Sequence, residues 1–177
     1  IMKVAIYSRA IDYDQQGEVQ QLLDELVKEK VEPVIYHPFF EKIKLNLKLP
    51  PVFSTFSEAG NLDESIDFLI SLGGDGTLLD TITLVRDKNI PVLGINFGRL
   101  GFLASLGREE LATAVQSLLK RTTVIDKRTL IHLDANKPMF GETPYALNEF
   151  AIHKTDTSPM IKIHTYLNGA FLNTYWA

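Results

Sequence analysis

The sequence has 177 residues, a formal net charge of −4 and no cysteine. That length suits one ordinary domain, or one domain and part of another, and lets roughly 70% of the unfolded surface be buried without staples. The absence of cysteine excludes disulfides and thiolate metal sites, and the lack of a dense basic run argues against a nucleic-acid partner.

No apolar run approaches the length of a membrane span. The first residues, Ile1-Met2-Lys3-Val4-Ala5-Ile6-Tyr7, lack the order of a signal peptide, and Met2 reads as the natural start. A cytoplasmic protein is therefore expected.

In chain order, Lys3 to Ser8 reads as a short buried strand. Residues 15–30 read as a helix, because Val19, Leu22, Leu23, Leu26 and Val27 recur at helical spacing. Val31 to Tyr36 reads as a second strand. Residues 37–61 hold Pro38, Pro50, Pro51 and Gly60 with a mixed Lys/Leu stretch, and are expected to form a long surface excursion. A strand over 66–72 follows, then a glycine loop, then a helix over 77–88. Pro91 to Asn96 is another strand, ending in a second glycine-bearing loop. Glu109 to Leu119 has Leu111, Val115, Leu118 and Leu119 on one side of an amphipathic helix.

This alternation predicts a Rossmann-like α/β domain over residues 1–122, a parallel sheet with helices on its faces. Right-handed crossovers then bring both glycine loops to the carboxyl edge of the sheet, where open α/β folds bind ligands. From Thr123 the pattern changes. Strand-like segments run over Thr123–Ala135, Tyr145–Lys154, Met160–Leu167 and Phe171–Trp176, and Asn168-Gly169 is a hairpin turn signal. Residues 123–177 thus read as the first strands of an all-β region. It stops at Ala177 without a finishing element, so a fragment of a longer protein is expected.

The first loop, Gly73-Gly74-Asp75-Gly76-Thr77, carries the most chemistry. Glycines between a buried strand and a helix allow positive φ and close ligand approach. The free N–H groups of the helix start attract anions. A bare carboxylate repels phosphate, so Asp75 suggests a second role, either holding a metal ion or taking a proton from a hydroxyl that attacks phosphorus. The alternative is a plain tight turn, since Asp-Gly is a common turn pair.

The second loop spans Gly94 to Leu103 and includes Asn96, Phe97, Gly98, Gly101 and Phe102. It lacks the G-x-G-x-x-G spacing of a dinucleotide fingerprint. It either shapes a site or merely needs positive φ at Gly98 and Gly101. Asn148-Glu149 interrupts an apolar strand, and the pair suits a ribose diol or a simple exposed strand end. His37, His132, His153 and His164 show no metal-ligand spacing. Neither a Walker A loop nor a G-x-S-x-G elbow is present. Lys42, Lys44, Lys48, Arg121, Lys127 and Arg128 read as solvated faces.

Three separated segments together resemble the NAD kinase family: Gly73-Gly74-Asp75-Gly76-Thr77, Asn96-x-Gly98-x-Leu100-Gly101-Phe102-Leu103, and Asn148-Glu149. The first alone also resembles diacylglycerol and sphingosine kinases, which leaves a lipid or sphingoid kinase as an alternative, beside a non-catalytic NAD(P)-binding module or an interaction domain. The resemblance implies phosphoryl transfer from ATP, or polyphosphate in some members, to the 2′-hydroxyl of the adenosine ribose of NAD, with Mg²⁺ or Mn²⁺ assisting. It implies Asp75 as general base, with Asp75, Gly76, Asn148, Glu149 and Phe102 binding NAD. Gly73, Gly74, Thr77, Asn96, Gly98 and Gly101 would shape the loops. No direct metal ligand is implied. The second region becomes the opening of an NAD-binding β-sandwich, and a homo-oligomer, dimer or tetramer, is implied. Family members continue past the hairpin into an Asp-Gly pair and a Thr/Gly/Ser-rich segment that complete the site, so the chain to Ala177 is expected to be inactive by itself.

Overall fold

The computed structural model describes residues 1–98, 101–154 and 160–176. Six parallel strands form one sheet: β1 (Lys3–Tyr7), β2 (Glu32–Tyr36), β3 (Ser54–Phe56), β4 (Phe68–Leu72), β5 (Val92–Asn96) and β6 (Leu106–Gly107). Their spatial order is β3-β2-β1-β4-β5-β6. The chain leaves β1 toward one edge and leaves β4 toward the other. The order therefore reverses between β1 and β4, which pair with Tyr7 opposite Ser71. In a doubly wound sheet this reversal opens a crevice at the carboxyl ends of the two strands.

Side chains alternate between the two faces of the sheet, as strand geometry requires. Val4, Ile6, Ile70, Leu72 and Ile95 pack beneath α1 (Gln16–Lys28) and α4 (Leu111–Leu119). The apolar stripe of α1 is Val19, Leu22, Leu23 and Leu26, and that of α4 is Leu111, Val115 and Leu118. Ala5, Tyr7 and Leu69 face the other way, against Leu84 of α3 (Asp75–Val85). Burial on both faces explains why β1, β4 and β5 are mostly apolar rather than alternating.

The expected surface excursion at 37–61 is instead partly core. Residues His37–Ile43 form helix α2, with Pro38 in its first turn, and bury Phe39 and Ile43. Ser54–Phe56 adds an edge strand to β2 and buries Phe56. A two-turn helix and a three-residue strand are too short to show periodicity, and burial of three large side chains outweighs the weak local pattern.

Beyond α4 the expected strands shrink. Of Thr123–Ala135 and Tyr145–Lys154, only β7 (Ile131–His132) and β8 (Tyr145–Ala146) pair, antiparallel and two residues long. The hairpin of β9 (Lys162–Leu167) and β10 (Ala170–Trp176) forms as expected. Asn168 and Gly169 take φ of 50° and 83° at its turn, matching the handedness that hairpin strands need. No helix among the described residues is long and apolar enough to cross a membrane.

Candidate active site

Helix α3 starts at Asp75, two residues earlier than the sequence pattern suggests, with Gly74 as its N-cap. Gly73 turns the chain out of β4 with φ of +151°. A Cβ on Gly73 would also overlap the Thr77 side chain, which is buried beneath it. Glycine is thus required there twice over, for backbone freedom and for space.

Asp75 faces the second loop. Its Oδ2 accepts the Phe102 N–H at 2.8 Å, and its Oδ1 accepts those of Leu103 at 3.0 Å and Ala104 at 2.9 Å. These bonds, led by those from Ala104 and Phe102, hold the carboxyl below the usual aspartate range. Gly101 lies against this carboxylate, where a Cβ would collide with it. Positive φ, one reason the sequence offers for glycine at 98 and 101, is not what the backbone adopts at Gly98. At Gly101 the space beside the carboxylate calls for glycine.

Asn96 is buried at the end of β5 and shapes the second loop from below. Its Oδ1 accepts the Gly98 N–H at 2.8 Å, and its Nδ2 donates to the Ala104 carbonyl at 3.3 Å. Leu100 lies outside the described residues. The Phe102 ring is 98% exposed, so only the backbone of this residue is engaged. Asn148 and Glu149 sit in and just after a bend following β8, both exposed. No hydrogen bond joins their side chains to Asp75 or to either glycine loop among the described residues. The structure therefore brings the first two motifs into contact and leaves the third apart. A cleft of about 840 Å³ is lined by apolar Leu78, Leu103 and Leu147 and by the charged Arg86, Asp126, Lys127 and Arg128, among others. Asp75 does not line it.

Four residues near the site carry no motif. Arg9, just past β1, grips Asp80 of α3 with Nε to Oδ2 at 2.5 Å and Nη2 to Oδ1 at 2.7 Å. The same Nη2 reaches the Gly76 carbonyl at 3.3 Å. Tyr7 donates its hydroxyl to Asp80 at 2.8 Å. Burial and then Asp80 push the Tyr7 phenol up. Burial also pushes Asp80 upward, but the bonds from Arg9 and Tyr7 outweigh it and its carboxyl ends below the usual range. Gln15 donates to the Phe97 carbonyl at 2.9 Å, at the root of the second loop. Only an acid amid the apolar residues of the α3 sequence could have hinted at this network; its partners lie about seventy positions away.

Among the described residues no group of three or more His, Asp or Glu could hold a metal ion. Both Asp75 oxygens already accept N–H groups. Among the described residues the donor set does not fit a metal site.

The fold and the loops define a doubly wound α/β protein whose glycine-flanked aspartate stands at the carboxyl edge of its sheet. Comparison with known sequences narrows the class. The profile of the ATP-NAD kinase N-terminal domain matches residues 14–123. Proteins named NAD kinase are similar over 99% of this chain: 43% identical in Cytophaga hutchinsonii, 38% in Flavobacterium psychrophilum and 37% in Bacteroides fragilis. The chain spans 60% of the length of each. A solved structure of yeast NADH kinase complexed with NADH shares the fold, with a TM-score of 0.76 over the whole of this chain and 55% of that one, at 20% identity. The chain belongs to the ATP-NAD kinase family.

Proposed function

We propose that this protein is an NAD kinase, transferring the terminal phosphoryl group of ATP to the 2′-hydroxyl of the adenosine ribose of NAD and forming NADP. The observation that carries the reading is Asp75, presented at the carboxyl edge by one glycine loop and fixed by the backbone of the other, in a chain of this family.

The ribose oxygen attacks the terminal phosphorus, the bond to the bridging oxygen breaks, and ADP leaves with that electron pair. The hydroxyl proton passes to Asp75 and then to solvent. Three N–H donors make Asp75 a weak base that is ionised at neutral pH. That suits a loose transition state, in which little bonding to the nucleophile forms early and the hydroxyl keeps its proton until late. Asp75 then acts mainly by orienting the hydroxyl, with general-base help of about 10²–10⁴ in rate.

Gly76, Phe102, Asn148 and Glu149 would bind NAD, with the exposed Phe102 ring free to lie on the adenine and the Asn-Glu pair on a ribose diol. Gly73, Gly74, Thr77, Asn96, Gly98 and Gly101 would shape the two loops. Residues 1–122 would form the α/β domain, and residues 123–177 the opening strands of an NAD-binding β domain. Any Mg²⁺ or Mn²⁺ would arrive on the phosphates of the donor. A cytoplasmic homo-oligomer, dimer or tetramer, fits a cysteine-free chain whose β9–β10 hairpin exposes Tyr166, Phe171 and Trp176.

The experiment compares the full-length protein and its Asp75→Asn variant in ATP plus NAD, with ATP plus a sphingoid lipid as a second arm. NADP should form only in the first arm, and the variant should lose about 10²–10⁴ in turnover while still binding NAD. Near-normal turnover of the variant overturns the base assignment, and lipid phosphorylation without NADP overturns the substrate.

A further inference from the structure

The crevice at the strand-order reversal has two walls. One is the loop after β4 that carries Asp75. The other is the segment after β1, residues 8–15, which no motif marks. That segment donates side-chain hydrogen bonds to backbone carbonyls of both glycine loops. Ser8 Oγ bonds the Leu72 carbonyl at 2.8 Å, just before Gly73. Arg9 Nη2 bonds the Gly76 carbonyl at 3.3 Å, and Gln15 Nε2 bonds the Phe97 carbonyl at 2.9 Å.

A run of Gly-Gly-Asp-Gly has little stiffness of its own, because glycine leaves the backbone nearly unrestricted. A carboxylate that must meet a hydroxyl within a few tenths of an ångström needs support from outside that loop. On one side the second loop holds the Asp75 carboxylate. On the other, Arg9 holds the first turn of α3. We propose that Arg9, locked by Asp80, is a positioning residue for Asp75, bracing the start of α3 across the crevice so that the carboxylate keeps its aim. The inference rests on the role of Asp75 given above.

The chemistry of the pair fits a brace. The two-pronged contact needs the planar guanidinium fork, which an ammonium cannot copy. Bonding to Asp80 raises the Arg9 pKa further, and Asp80 stays ionised, so the pair does not titrate near neutral pH. Arg9 spends Nε and Nη2 on Asp80 and the Gly76 carbonyl. Tyr7 adds a third donor to the same carboxylate. The Arg9 carbonyl is itself held by Lys42 Nζ at 2.6 Å, which fixes the residue from the α2 side.

The test uses the full-length protein with Arg9→Ala, Arg9→Lys and Asp80→Asn. Steady-state kinetics with ATP and NAD are read beside hydrogen exchange at the Thr77 and Leu78 amides, which bond the Gly74 carbonyl. Arg9→Ala and Asp80→Asn should each lower kcat by roughly 10- to 100-fold, the cost of misplacing a reacting group by about 1 Å. KM for both substrates should stay within about 3-fold, because positioning acts on the transition state. Exchange at Thr77 and Leu78 should rise about 10-fold while α4 is unchanged, a local loosening rather than global unfolding. Arg9→Lys should not restore kcat. Unchanged exchange overturns the proposal. So does rescue by lysine, or a raised KM for ATP with kcat kept, which would make Arg9 a phosphate contact. If the unaltered protein forms no NADP, the kinase reading falls, and exchange alone decides the brace: faster at Thr77 and Leu78 supports it, unchanged refutes it.

Discussion

Gly101→Ala isolates the contact that joins the two glycine loops. An alanine Cβ at this position would collide with the Asp75 carboxylate. Either Asp75 swings out or the loop withdraws, and in both cases the bonds from the Phe102, Leu103 and Ala104 N–H groups are lost or stretched. A hydrogen bond to a charged group is worth about 1.5–3 kcal/mol when well shielded. This site is only partly shielded and water replaces the lost donors, so about 1 kcal/mol each is the appropriate figure. The total is then about 3 kcal/mol, from which the lower unfolded-state entropy of alanine subtracts about 0.4–1 kcal/mol. A net loss of about 2 kcal/mol should lower Tm by about 4–8 °C in a domain of this size. A double-mutant cycle by thermal unfolding checks the cause. In an Asp75→Ala background, Gly101→Ala should be neutral or slightly stabilising, giving a coupling of about 2–3 kcal/mol. A coupling below about 0.5 kcal/mol would refute the account, because it would mean that alanine at 101 acts without Asp75.

Packing and charge have further measurable consequences. Gly94→Ala should cost about 1–3 kcal/mol by overpacking: the new Cβ would strike Leu78, which can swing aside, and lie 3.2–3.3 Å from Ala104, which cannot. Thermal unfolding reads this, and an unchanged Tm would contradict the packing of α3 on β5. Phe39→Ala should cost about 3–5 kcal/mol in urea unfolding, as a fully buried aromatic does; a loss under about 1 kcal/mol would return 37–61 to the surface. The folded pKa of Asp75 is depressed. Its contribution to stability is therefore full above its unfolded pKa of about 4 and fades as pH falls through the lower folded value. Amide resonances of Phe102, Leu103 and Ala104 should shift together in that acid window, and Asp75→Asn should abolish the shift. Resonances that titrate unchanged in the variant would assign the transition to another group.

Much of the fold was legible because burial leaves a local mark. A strand buried on both faces must be mostly apolar, and β1, β4 and β5 are, with Lys3, Ser71 and Asn96 as their polar residues. A helix on the sheet must be apolar every three to four residues, and α1 and α4 are. Short elements leave no such mark, so α2 and β3 emerge only when Phe39, Ile43 and Phe56 find the core. Past residue 122 the opposite error arises. Apolar alternation in 123–135 and 145–154 looks like strands, but a strand needs a partner along its length, and among the described residues only two-residue pairings form.

The candidate site divides along the same line. The sequence by itself determined its chemistry: an aspartate between glycines at a strand-to-helix junction, a second glycine loop after the next strand, and an Asn-Glu pair further on. The turn at Gly73 is a local requirement of the backbone, and local requirements are written in consecutive residues. The tertiary structure decided what Asp75 touches. The reversal of strand order beside β1 sets Arg9 against Asp80, seventy-one positions apart, and parallel pairing of β4 with β5 carries the 102–104 amides to the Asp75 carboxylate. Parallel neighbours are joined only through long crossovers, so residues that meet at the carboxyl edge are necessarily distant in sequence, and no local pattern records their meeting.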